Sequence, residues 1–356
     1  MSSILLWGER HDRPLIAVAE ALHRLDVNPF LLDQGDTLRT RFDLEIGDSV
    51  HGTLRVGGGP ALHLEDVTAA YVRTYDWRAL PAIRRSAFGG PEWRHAQRLE
   101  EGLSVWLEIS PALVVNRPSA MATNGSKPYQ AELIRRCGFD IPETVITTDV
   151  DVVRDFVDRH GAVIYKSVSG VRSIVSRLTP AHFERIADVA WCPTQFQAYV
   201  RGTDHRVHVV GQDVFACEII SEADDYRYAS RSGVSAIVRA VALPDEVAER
   251  CCALVRDLGL VIGGVDLRRT PDGRWVCFEV NPSPGFTYYE ELSGQPLADA
   301  IARALLHGET CGSADDEVGA TAPDSVVSEP AVGRRMVARS ARGETSGQTL
   351  SPRVTA

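Results

Sequence analysis

The chain has 356 residues, of which 44% are hydrophobic and 24% charged, enough apolar material for two or three cored domains. Its formal net charge of −10 argues against a nucleic-acid binder, which would present a basic face. No apolar run approaches the roughly 20 residues of a membrane helix, so no membrane role is expected.

The N-terminus, MSSILLWGERHDR, has no basic segment followed by a long apolar core and cleavage site, which predicts a cytoplasmic protein. The seven cysteines are an odd number with no C-x-x-C pair, which predicts reduced thiols and no zinc site.

In chain order, the apolar run Ser3 to Gly8 reads as a buried strand. Pro14 to Leu25 has helical spacing at Leu15, Ala19 and Leu22. PFLLD follows Asn28 as a second strand, so the pattern predicts a parallel β-α-β unit. No G-x-G-x-x-G follows the first strand, so nothing marks a dinucleotide site. Val50 to Leu64 reads as a hairpin about Gly57-Gly58-Gly59-Pro60, and Ala69 to Arg73 as a strand. Glu92 to Ile109 is a long amphipathic helix before the strand-like LVVN ending at Asn116.

Lys127 opens a helix that runs to about Cys137. ETVITT is a strand, Asp149 an N-cap, and the next helix ends near Gly161. Ala162 to Lys166 is a strand that empties into the small-residue loop SVSGVRS, with Ser169 and Gly170. QFQAYV, HRVHVV and DVFACEII are strands, and Pro244 to Leu258 is a helix with a Val247, Cys251, Leu254, Leu258 stripe. GGVDLRR and RWVCFEVN pair across the Thr270-Pro271-Asp272-Gly273 turn, and Leu297 to Leu306 is the last helix. From Glu309 to Ala356 there is no aromatic residue and no sustained periodicity, which predicts a disordered tail.

The residues with the most chemistry lie on the last strand pair. Glu279 and Asn281 are two apart and share a face, and Asp266 lies on the preceding strand. Two carboxylates and an amide oxygen suit Mg²⁺, which takes oxygen ligands and is usually shared with substrate phosphates. A solvated sheet face would show the same polar alternation, but the apolar Val265, Leu267, Phe278 and Val280 occupy the other positions. Lys127 at a helix mouth and Lys166 at the end of a buried strand are candidate phosphate ligands, set against snorkelling surface lysines. Arg206 and His208 alternate with Val207 and Val209, giving one basic face on which Arg206 could clamp a phosphate or carboxylate. A surface strand of mixed charge would look the same. Asp225 and Arg227 form a similar, weaker pair. His11, His23, His63 and His95 have no metal or triad spacing and read as structural or surface residues.

The order Lys127, Lys166, QFQAYV, DHR, GVDL, FEVNPSPGF resembles the ATP-grasp superfamily in its RimK-like branch, over about Asn116 to Leu306. NRP at Asn116 to Pro118, GFDIPETVITTD, AVIYKSVSG and DYR at Asp225 to Arg227 look closest to the ATP-grasp maturases of microviridins and related graspetides. The family's strand with a tryptophan and two arginines appears here as AAYVRTYD, with the single Arg73. The tail expected to be disordered has no counterpart in that family's pattern.

The resemblance implies an α/β pre-ATP-grasp domain over residues 1–116 that binds substrate. A two-subdomain α+β ATP-grasp fold follows over 117–308, split into 117–192 and 193–308, with the tail from 309 to 356. It implies ATP phosphate contacts from Lys127 and Lys166, and an adenine-side hinge at Gln197, Ala198, Tyr199 and Val200. Arg206 would stabilise the transferred phosphoryl group, and Asp266, Glu279 and Asn281 would hold Mg²⁺. SVSGVRS would be a lid, with Ser169, Gly170, Asp225 and Arg227 as further phosphate or substrate contacts. The implied activity is acyl-phosphate formation on a carboxylate, then attack by an amine or hydroxyl, on a peptide or protein substrate. A glutamate or small-molecule carboxylate-amine ligase and a catalytically silent nucleotide-binding module are the alternatives. A homodimer is the candidate assembly.

Overall fold

The computed structural model describes residues 3–168, 175–221 and 236–308. The expected tail, the lid residues Ser169 and Gly170, and the pair Asp225 and Arg227 lie outside them.

The front of the chain runs β1 (Ser3–Gly8), α1 (Arg13–Arg24), β2 (Phe30–Asp33), β3 (Thr40–Ile46), β4 (Val50–Val56), β5 (Ala61–His63), β6 (Val67–Arg73), the single-turn α2 (Pro81–Arg84), α3 (Pro91–Ile109) and β7 (Leu113–Val115). β2, β1, β6 and β7 form a parallel sheet in that order. A sheet buried on both faces needs apolar residues at every position, which is why SILLWG reads as a continuous run. Ile4 and Leu6 face one core with α1, while Leu5 and Trp7 face another with α3. Asp12 caps α1 by accepting from Leu15 N, and Pro14 lies in its first turn. β3 adds to the expected hairpin, giving the antiparallel order β3-β4-β5. Its sequence TRFDLEI alternates charged with apolar side chains, and Phe42 and Leu44 pack on the α3 core.

Next come the short α4 (Pro118–Met121), α5 (Lys127–Arg136), β8 (Thr144–Thr147), α6 (Val150–His160), β9 (Val163–Ser167), β10 (Ser176–Arg177), the short α7 (Pro180–Phe183) and β11 (Thr194–Ala198). The sheet order is β10-β9-β11-β8, antiparallel. One face buries Phe196, Val163 and Tyr165 against Val153 and Phe156 of α6.

The remainder is β12 (Thr203–Val210), β13 (Asp213–Ile220), β14 (Ile237–Val241), α8 (Asp245–Asp257), β15 (Ile262–Arg269), β16 (Trp275–Asn281), α9 (Thr287–Ser293) and α10 (Leu297–His307). The five-stranded antiparallel sheet has the order β14-β13-β12-β15-β16. α8 presents the expected Val247, Cys251, Leu254 stripe to Val207, Val209, Val265 and Val280. α10 packs on α1 and shares the core of the front parallel sheet through Leu297, Ile301 and Leu305. No helix among the described residues is long and apolar enough to cross a membrane.

Candidate active site

Two rows of side chains cross the large sheet on the face opposite α8. In the first, Arg206 of β12, Asp266 of β15 and Glu279 of β16 are direct cross-strand neighbours. In the second, two residues along and on the same face, His208, Gly264 and Asn281 are neighbours in the same way. Register alone therefore assembles Arg206, Asp266, Glu279 and Asn281. The ladder of β15 on β16 shifts between Asp266 and Leu267, just past the first row.

Contacts follow the register. Arg206 Nη1 donates to Asp266 Oδ1 at 2.6 Å, and Lys127 Nζ lies 3.5 Å from Glu279 Oε2. Asn281 Oδ1 accepts from Ser283 N at 2.9 Å, which starts the turn after the strand. Arg206 and His208 do not lie on an exposed strand of mixed charge. They are 5% and 0% exposed. Nor is His208 part of a basic face: burial, and then the charge of Arg206, hold its imidazole well below the usual value, so it is neutral.

Several residues around this face were given no site role from sequence. Gly264 is one of them, since a Cβ there would collide with the Arg206 guanidinium and come within 2.9 Å of Pro284 Cβ. Gln130, one turn after Lys127 on α5, donates to Val280 O at 2.8 Å and accepts from Val280 N at 2.9 Å. Asn116 donates to Ile262 O at 2.8 Å and Pro282 O at 2.6 Å, and accepts from Val261 N at 2.7 Å. Arg73, at the end of β6, grips Asp12 and donates to Ser283 Oγ and Pro284 O, both at 3.1 Å. Tyr75 Oη donates to Asp12 Oδ1 at 3.0 Å. The lone arginine of AAYVRTYD thus ties the front sheet to the turn that follows Asn281. Only its pairing partners, distant in sequence, reveal that role.

Lys166 and Gln197 lie on the smaller antiparallel sheet. Lys166 is 7% exposed, opposite Gln195, and Gln195 and Gln197 share its face. Gln197 Nε2 donates to Thr144 Oγ1 at 3.0 Å, while the carbonyl oxygens of both glutamines are buried without a hydrogen-bond partner among the described residues. Buried acceptors of this kind suit a ligand's N–H groups. β11 ends at Ala198, so Tyr199 and Val200 form the link to the large sheet. Arg268 secures that link: it donates to Val200 O at 2.7 Å, pairs bidentately with Asp204, and with Arg177 flanks the Tyr199 ring.

The donor set fits Mg²⁺. Asp266 and Glu279 supply two carboxylates and Asn281 an amide oxygen, and each carboxylate is already balanced by a cation, Arg206 or Lys127. Mg²⁺ takes octahedral oxygen coordination, so the oxygens of these three side chains would leave positions open for other oxygen ligands.

A family model described as the RimK-like ATP-grasp domain matches residues 125–305. The ribosomal protein bS6–L-glutamate ligase of Escherichia coli O7:K1 is 30% identical over 208 residues, covering 55% of this chain and 68% of that protein. A RiPP-associated ATP-grasp ligase of Chryseobacterium gregarium, solved with ADP and a leader and core peptide, superposes with a TM-score of 0.74 at 20% identity, over 86% of this chain and 97% of the other. The ATP-grasp ligase PsnB, solved with a minimal precursor, Mg and ADP, has a TM-score of 0.65 at 25% identity, over 85% of this chain and 97% of the other.

Proposed function

The chain belongs to the RimK-like ATP-grasp family, and from that premise we propose that it is an ATP- and Mg²⁺-dependent ligase that activates a carboxylate on a peptide and condenses it with an amine or hydroxyl. The observation that carries this reading is the row Arg206–Asp266–Glu279, with Lys127 against Glu279 and Asn281 one pleat away. A carboxylate is a poor electrophile, and transfer of the ATP γ-phosphoryl group to it makes an acyl phosphate. Mg²⁺ held by Asp266, Glu279 and Asn281 would neutralise phosphate charge. Lys127 and Lys166 bind phosphate oxygens, and Arg206 meets the charge that develops on the transferred group. Gln197 to Val200 carry the adenine side, Gln197 offering its buried acceptor. The nucleophile then attacks the acyl carbon and phosphate leaves.

The peptide substrate is supported by the extent of the structural likeness. Ligases solved with leader, core or precursor peptides match over 85–86% of the chain, front sheet included. A glutamate ligase is the second reading, favoured by the 30% identity to the bS6 ligase over 55% of the chain.

An acidic candidate peptide incubated with the protein, ATP and Mg²⁺ decides between them by mass spectrometry. Loss of one water per bond formed is expected. Addition of glutamate residues when L-glutamate is supplied would replace the peptide-condensing reading with the second. Asp266→Ala and Asn281→Ala should abolish ATP turnover and leave the fold intact, and wild-type turnover in either would remove the metal assignment.

A further inference from the structure

The polar groups nearest Arg206 include one that the reaction above does not use. His208 is fully buried, its Nδ1 has no hydrogen-bond partner among the described residues, and its Nε2 faces Arg206 Nε at 3.4 Å. A buried polar ring with an unmatched nitrogen is disfavoured where a phenyl ring would pack as well, so its presence calls for a role.

We propose that His208 and Tyr289 are positioning residues that fix the guanidinium of Arg206 in the plane it needs to meet a transferred phosphoryl group. The proposal rests on the reading of Arg206 given above.

The geometry closes on the guanidinium from several sides. Nε donates to His208 Nε2, and Nη1 donates to Asp266 Oδ1. The Tyr289 ring lies beneath, its centroid 5.7 Å from Arg206 Cζ. That ring also meets the His208 ring edge to face, at 5.0 Å between centroids. Tyr289 packs in one apolar cluster with Cys217, Ile219 and Val238. Gly264, between His208 and Asn281 in the second row, leaves the guanidinium its space.

The chemistry fixes the state of the imidazole. An Arg Nε–H is always a donor, so the facing nitrogen must carry a lone pair. His208 must therefore be neutral with its proton on Nδ1. A second cation beside Arg206 in this buried place would repel it. A guanidinium on a flexible three-carbon stem would otherwise sample several planes, and holding one beforehand removes that reorganisation from the transfer step.

The test uses the full chain, with Mg²⁺–ADP and aluminium fluoride as the mimic of the transferred group. His208→Phe keeps a ring and removes the acceptor. It should bind Mg²⁺–ADP as the wild type does, but lose about tenfold or more of the extra affinity that aluminium fluoride confers, with no fall in Tm. Tyr289→Leu should show the same split. Equal fluoride gain in His208→Phe and wild type overturns the proposal. Nitrogen-15 NMR of the wild-type histidines gives a readout independent of nucleotide. His208 should appear as the neutral Nδ1–H tautomer, and an Nε2–H tautomer or an imidazolium overturns the proposal. Arg206→Ala separates the two levels. If it keeps the fluoride gain, the phosphoryl role of Arg206 fails, and with it the purpose assigned to His208, whatever the tautomer.

Discussion

Gln130 of α5 turns its carboxamide onto the backbone of Val280, donating to the carbonyl and accepting from the amide. Val280 lies between Glu279 and Asn281 on β16, the outermost strand on its side of the sheet. A side chain thus supplies the ladder bonds that a further strand would have made. Because Lys127 sits one turn earlier on the same helix, α5 fixes the strand and balances its carboxylate together.

Gln130→Leu should leave the Val280 N–H and C=O buried without partners, costing about 2–3 kcal/mol of stability. Thermal unfolding would show the loss. Mg²⁺ affinity in the presence of ADP should fall with it, since Glu279 and Asn281 flank the freed residue. An unchanged Mg²⁺ affinity would mean that β16 holds its place without the clip.

Gly264→Ala tests the second row. The added methyl meets the guanidinium of Arg206 and the Pro284 ring. Overpacking of this kind costs about 1–3 kcal/mol. ATP turnover should fall further than stability, because Arg206 is the group that must move. Turnover at the wild-type rate would place the guanidinium elsewhere in solution.

Arg73 and Asp12 are both buried, and the Arg73 side chain also holds Ser283 and the Pro284 carbonyl. Arg73→Met strands the Asp12 carboxylate and should cost about 3–5 kcal/mol. Adding Asp12→Asn should recover part of that stability but not the turnover, because the turn after Asn281 remains ungripped. Full recovery of turnover in the double variant would separate the turn from the metal face.

Glu100 on α3 is half-buried, and that burial, with the Asp76 charge second, pushes its carboxyl up to about 7 from 4.5. The folded state thus holds a proton that the unfolded state has released between those two values, so stability falls as pH rises through the window. Glu100→Gln should match the wild type near pH 4 and exceed it at pH 8 by on the order of 2 kcal/mol, read from urea unfolding at the two pH values. Equal stabilities at pH 8 would show the carboxyl to be solvated.

Where charges had to be matched or space had to be left, sequence spacing was silent. The hairpin of VDL and FEVN was legible from its turn, and period-two alternation placed Asp266, Glu279 and Asn281 on the polar face and Val265 and Val280 on the other, whereas the place of DHR beside VDL was not legible. The same alternation grouped His208 with Arg206 but misjudged its charge, because alternation reports which face a residue is on and not whether water reaches it. Buried there beside a cation, the imidazole stays neutral.

What the sequence determined by itself was local: strands and helices with their caps, the face each polar residue takes, and the ordered motif set of the RimK-like ATP-grasp family. What only the tertiary structure decided were contacts between residues far apart in the chain. These are Arg73 on the turn after Asn281, Asn116 between β15 and β16, Gln130 on Val280, and α10 in the core of the front sheet. The physical reason is that hydrophobic periodicity repeats over a few residues and so encodes the local backbone. A single buried polar side chain carries no period, and its hydrogen-bond partners are fixed only when the packed layers bring them within reach.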